Sequence, residues 1–106
     1  MRTSLDHAHI FASDLSVTIA FFQRMFDAVV VWDEEAAGVR NVRLRIGHGF
    51  LHVYEQPPKV TGAGVVHHLG IETENLEALV AHLARSLPDE KPRLTCYEPR
   101  RVRLIR

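Results

Sequence analysis

A lone cysteine, Cys96, stands in a chain of 106 residues. It excludes an intrachain disulfide framework and fits a reducing, cytoplasmic setting. Net charge is missing too. Thirteen basic side chains balance thirteen acidic ones, so no overall field draws the chain to nucleic acid or to a membrane surface. No apolar run approaches the length that spans a bilayer, and the opening Met1-Arg2-Thr3-Ser4-Leu5-Asp6 has no apolar signal core. The remaining composition, 46% hydrophobic with 25% charged residues, is that of a soluble globular chain, with length for one compact domain or for a subunit completed by a partner. Charge is unevenly placed, however. Residues 1–92 hold 8 basic and 12 acidic side chains, whereas the last 14 hold five arginines against Glu98 alone. A solvated arginine-faced strand is the simplest account of that tail, ahead of an anion patch.

What the chain does have is a repeat. Leu5-Asp-His-Ala-His-Ile-Phe-Ala-Ser-Asp-Leu15 returns 61 positions later as Val66-His-His-Leu-Gly-Ile-Glu-Thr-Glu-Asn-Leu76. His7 falls on His68, Ile10 on Ile71, Asp14 on Asn75 and Leu15 on Leu76, and the match runs on through Ala20/Ala81 and Arg24/Arg85. Repetition on this scale predicts two β-α modules, each presenting one histidine from its first strand.

In the first module, period two over Leu5–Phe11 puts Ala8 and Ile10 on one face and His7, His9 and Phe11 on the other. Ser13 or Asp14 offers an N-cap, and Leu15, Ile19, Phe22 and Phe26 form a helical stripe. Ala28–Trp32 is strand-like, and 33–38 reads as a turn or loop. Residues 41–46 alternate, with Val42, Leu44 and Ile46 toward the helix and Arg43 and Arg45 on the opposite face. Gly47-His-Gly49 is a tight turn. Phe50–Glu55 returns as a strand, with Phe50, His52 and Tyr54 on the histidine side. The expected organisation is a βαβββ module over about 4–56, a linker over 57–64 and a second module over about 65–106. The second helix stripe is Leu76, Leu79, Val80, Leu83 and Leu87, stopped by Pro88. Two short strands follow it, Arg93–Tyr97 and Val102–Ile105, so the second module is one strand short.

A repeated βαβββ unit with His-x-x-Ile…Asp/Asn-Leu at the start of each copy resembles the vicinal oxygen chelate superfamily. Its members include glyoxalase I, extradiol dioxygenases, methylmalonyl-CoA epimerase, and the fosfomycin- and bleomycin-resistance proteins. The resemblance covers residues 5–87. It implies an α+β fold in which a curved mixed sheet surrounds a cleft, and a divalent metal held by first-strand and last-strand residues of both modules. Carried over, this implies His7 and His68 as the first-strand pair. His52 occupies the last-strand position where glyoxalase I has glutamate, with Glu55 as the alternative. At the second module's end, Tyr97-Glu-Pro-Arg-Arg-Val-Arg-Leu-Ile-Arg106 supplies no carboxylate in the corresponding place.

Neutral imidazole suits zinc, nickel, iron or manganese, and such an ion would polarise a substrate bearing adjacent oxygens. The expected activity is that of a metal-dependent lyase, isomerase or dioxygenase acting on a small oxygenated molecule. The competing expectation is a metal-free protein that sequesters a small molecule, as bleomycin-resistance proteins do. Three histidines without a carboxylate would leave a cationic site that favours an anion. His9, Phe11, Phe50 and Tyr54 are expected to line the cleft. Arg43 and Arg45 read either as solvated or as anchors for a carboxylate or phosphate. A sheet one strand short invites a second copy, so a homodimer is expected, unless the tail folds back beside the second module's first strand.

Overall fold

The computed structural model describes residues 1–57, 69–86, 93–98 and 101–105, the last two stretches as backbone only. The chain divides into two compact units, Met1–Lys59 and Val60–Arg106, each described by itself. The first contains β1 (His7–Phe11), α1 (Leu15–Phe26), β2 (Val29–Ala36), β3 (Val39–Ile46) and β4 (Gly49–Tyr54). The second contains β5 (Leu69–Glu72), α2 (Leu76–Ser86), β6 (Arg93–Glu98) and β7 (Arg101–Ile105). The fold is α+β, and among the described residues the second unit has three strands against four in the first.

The repeated Asp14/Asn75 position has a local physical cause. Asp14 sits in extended backbone at the N-cap of α1, and its Oδ1 accepts from the Val17 N–H at 3.1 Å. Asn75 Oδ1 accepts from the Ala78 N–H at 3.0 Å in the same way. Each side chain satisfies an orphan donor of its helix, a contribution of about 1 kcal/mol. At the other end of α1, Asp27 adopts the left-handed conformation, and its N–H donates to the Phe22 carbonyl.

The first sheet has the order β1-β4-β3-β2, with β1 parallel to β4 and the other pairs antiparallel. Val42, Leu44, Leu51 and Val53 on one face are buried, together with Leu15, Phe21, Phe22 and Met25 of α1. Two expectations are corrected here. The buried arc of α1 is rotated toward Phe21 and Met25, while Ile19 and Phe26 are only half-buried. Phe21, Phe22 and Phe26 form one aromatic cluster with ring centroids 5.2–6.2 Å apart, and this ordering favours the Phe21 side. Second, β2 runs on through residues 33–36, which the sequence suggested were a loop. The reversal is confined to Ala37 and Gly38, both at positive φ, a two-residue hairpin turn of the primed type. A bulge between Val30 and Trp32 and the charges of Asp33, Glu34 and Glu35 blunt this edge strand.

The second sheet has the order β5-β7-β6, with both pairs antiparallel. Strand direction relates the two sheets. In the first unit β3 runs opposite to β1 and β4 runs with it; β7 runs opposite to β5 and is therefore the counterpart of β3. It lies directly against β5, in the place that β4 takes in the first sheet. The tail thus folds back beside the first strand of its module, so completing this sheet does not require a second copy. In α2, Leu83 is buried, Leu76 and Leu79 are half-buried, and Val80 is exposed. Leu87 and Pro88 lie outside the described residues. Among those described, no helix is long and apolar enough to cross a membrane.

Candidate functional site

Strand pairing arranges the outer face of the first sheet in three rows. Phe11, Tyr54 and Asn41 form one row; His9, His52, Arg43 and Trp32 the next; His7, Phe50 and Arg45 the third. Successive rows are two residues apart along each strand, about 7 Å. His7, His9, His52, Arg43, Phe50 and Tyr54 are thus brought together, as their alternation suggested. Glu55 follows the opposite parity, beside Arg40 rather than the histidines. Arg45 is exposed at the far row. His68, the expected first-strand histidine of the second module, lies outside the described residues.

Asp6 ties the cluster together. The His7 Nδ1–H donates to its Oδ2 at 2.8 Å, and Arg43 donates to the same oxygen through Nη1 at 2.9 Å and to Oδ1 through Nη2 at 3.3 Å. These contacts hold the Asp6 carboxyl well below the usual carboxylate range, Arg43 contributing most and His7 next. Arg43 also donates through Nη1 to His52 Nε2 at 2.7 Å, and its guanidinium lies 3.8 Å from the Phe50 ring centre. A guanidinium has no acceptor, so His52 Nε2 must be unprotonated. Burial lowers the His52 pKa, and the neighbouring His7, Arg43 and His9 lower it further. His52 is therefore a neutral imidazole with its proton on Nδ1.

The two best-placed histidines differ in what they offer a metal ion. His7 uses Nδ1 on a carboxylate, which fixes its tautomer and leaves the Nε2 lone pair outward, the usual arrangement of a ligating histidine. His52 is engaged at Nε2 by Arg43, and its ring stacks on His7 with centroids 3.6 Å apart and planes 10° from parallel. Imidazole lone pairs lie in the ring plane, so two stacked planes cannot aim them at one point. The donor set fits an ion at His7 and does not fit at His52 as it stands. Among the described residues, no group of three or more His, Cys, Asp or Glu is placed to hold a metal.

Two members of this cluster were not apparent from sequence. Asp6 precedes the strand and reaches Arg43 across 37 positions, a pairing that no local pattern signals. Trp32 stacks toward His52, with centroids 6.1 Å apart, because the bulge at Val31 shifts its parity from the core face to the histidine face. Asn41 Oδ1 is buried without a hydrogen-bond partner among the described residues, the one such side-chain atom found there.

Residues 4–93 match the model of the Glyoxalase/Bleomycin resistance protein/Dioxygenase superfamily. No curated protein sequence matches the chain significantly. Solved structures similar in fold include the fosfomycin resistance protein FosX of Listeria monocytogenes complexed with Mn(II) and sulfate. The TM-score is 0.67 at 16% identity, over 91% of this chain and 78% of that one. A variant of that protein, complexed with Mn(II) and a dihydroxypropylphosphonic acid, gives 0.66 at 18% identity, over 94% and 79%. FosX of Mesorhizobium loti gives 0.64 at 17% identity, over 93% and 78%. At such identities the likeness concerns the fold.

Proposed function

The chain belongs to the Glyoxalase/Bleomycin resistance protein/Dioxygenase superfamily, and from that premise we propose a divalent-metal-dependent enzyme of lyase, isomerase or dioxygenase type, acting on a small oxygenated anion. The observation that carries the reading is the Asp6–His7 pair, which presents a free Nε2 with its tautomer already set. His7 is the described residue that would hold the ion, joined by His52 only after that ring gives up its hydrogen bond from Arg43. Manganese is the first candidate, because the FosX structures contain it; zinc, nickel and iron suit the same imidazoles. When bound, the ion would supply Lewis-acid polarisation of the substrate's oxygens. The chain's own residues would do the rest. Arg43, braced on the Phe50 ring, supplies fixed positive charge for an anionic group, and His9 offers a ring nitrogen on β1, beyond His52 on β4.

The second reading, metal-free sequestration of a small molecule, draws on the Arg43 hydrogen bond to His52 Nε2 and on the stacked rings. Elemental analysis of protein purified without added metal separates the two. Close to one divalent ion per chain is expected, and protein that is metal-free and takes up none on addition would favour sequestration. The same preparation should scatter light as a homodimer; a stable monomer would remove that part of the proposal.

A further inference from the structure

His52 accepts from Arg43 through a nitrogen that a metal ion would need, and the strand register builds this contact in. Arg43 on β3 and His52 on β4 are directly opposed Cα partners, and the guanidinium Nη1 lies 2.7 Å from the ring Nε2. We infer that Arg43 is a resident competitor for the metal: its guanidinium occupies the Nε2 position of His52, so a divalent cation gains that ligand only by displacing Arg43. The inference rests on the reading of the histidine face as a metal site, and it names the residue that decides whether the site has one histidine or two.

The competition follows from elementary chemistry. The unprotonated Nε2 of an imidazole has one lone pair, which cannot serve an N–H donor and a metal ion together. The guanidinium and the ion are also both cations, and they repel at this separation. Arg43 is, moreover, held in place by more than His52. Its Nη1 and Nη2 donate to the two oxygens of Asp6 at 2.9 and 3.3 Å, its guanidinium carbon lies 3.8 Å from the Phe50 ring centre, and its side chain is only 22% exposed.

At His7 the same network falls on the other nitrogen. Asp6 accepts from the His7 Nδ1–H at 2.8 Å, which sets the tautomer that a ligating histidine needs. The rings of His7 and His52 stack 3.6 Å apart, yet one carboxylate and one guanidinium treat them oppositely. His7 is prepared for an ion, and His52 is withheld from it.

The test is a double-mutant cycle on the whole protein, with Mn(II) as the probe and calorimetry as the readout. Arg43→Met removes the guanidinium and keeps an apolar side chain beside Phe50. His52→Phe removes both ring nitrogens and keeps a ring against His7. Arg43→Met should tighten Mn(II) binding by about tenfold or more, the usual effect of losing a competing hydrogen bond from a charged donor. In the His52→Phe background the same replacement should tighten it by less than roughly threefold, the share left for the lost charge. Equal tightening in both backgrounds would assign the effect to charge or to a released Asp6 and overturn the inference, as would unchanged or weaker binding in Arg43→Met. If the wild type binds Mn(II) and the cycle shows no coupling, the inference falls alone; if none of the four proteins binds it, the metal reading falls too. Nitrogen NMR of the metal-free wild type is the second measurement, and it stands even where a variant fails to fold. It should find the His52 proton on Nδ1, and a proton on Nε2 would overturn the inference with no metal present.

Discussion

Replacing His7 with alanine is expected to abolish Mn(II) binding, with a loss of at least about 100-fold in affinity. That exceeds the 10–100-fold typical of removing a group that merely orients a ligand. β1 is parallel to β4, which puts His7 on the outer face, and Asp6 takes its Nδ1 proton. Alanine removes the imidazole whose Nδ1 is anchored on Asp6, leaving no ring nitrogen at this position to meet an ion. The fold should survive, because the His7 side chain is 35% exposed and packs in no core; the melting temperature should move by no more than surface substitutions usually cause. Calorimetric titration of Mn(II) into both proteins reads the effect. An unchanged affinity in His7→Ala would place the ion elsewhere.

Leu44→Ala should be the most damaging change to stability. Leu44 is wholly buried on β3, between Val30 on β2 and Leu51 on β4, on the face shared with Val42 and Val53. Removing a leucine from such a site costs about 2–5 kcal/mol through lost transfer energy and the cavity left behind. Domains of this size are stable by only about 5–15 kcal/mol, so the melt should fall by more than about 10 °C. Leu5→Ala is the matched control. Leu5 is 90% exposed, and its loss should change stability by less than about 0.5 kcal/mol. Thermal denaturation followed by circular dichroism measures both, and comparable shifts would mean that the sheet core is not where the buried residues place it.

Alternation was the legible part of this chain. Arg43, Arg45, His52 and Tyr54 could be assigned to one face because strand side chains alternate strictly, and the 61-residue repeat marks both helix caps, Asp14 and Asn75. Where alternation breaks, legibility ended. The bulge at Val31 turned Trp32 to the histidine side, and a turn of only Ala37-Gly38 let β2 absorb the acidic run that looked like a loop. The rotation of α1 toward Phe21 and Met25 follows from aromatic packing, which a stripe of apolar positions does not encode. The Asp6–Arg43–His52 network was the least accessible. It depends on side-chain reach between strands that are distant in sequence, and it changes His52 from an expected ligand into a hydrogen-bond acceptor.

A divalent ion on the histidine face of the first unit would be held through His7, whose Nδ1 proton is taken by Asp6. Proton NMR of the imidazole rings, with substoichiometric Mn(II) added to the whole protein, tests this most directly, since the paramagnetic ion broadens the signals nearest to it. The His7 signals should broaden first, followed by those of His52 and His9 in the neighbouring row, and in His7→Ala the broadening should be lost. Broadening of the remaining histidines that persists in His7→Ala, or loss of any other histidine's signals before those of His7, would contradict it.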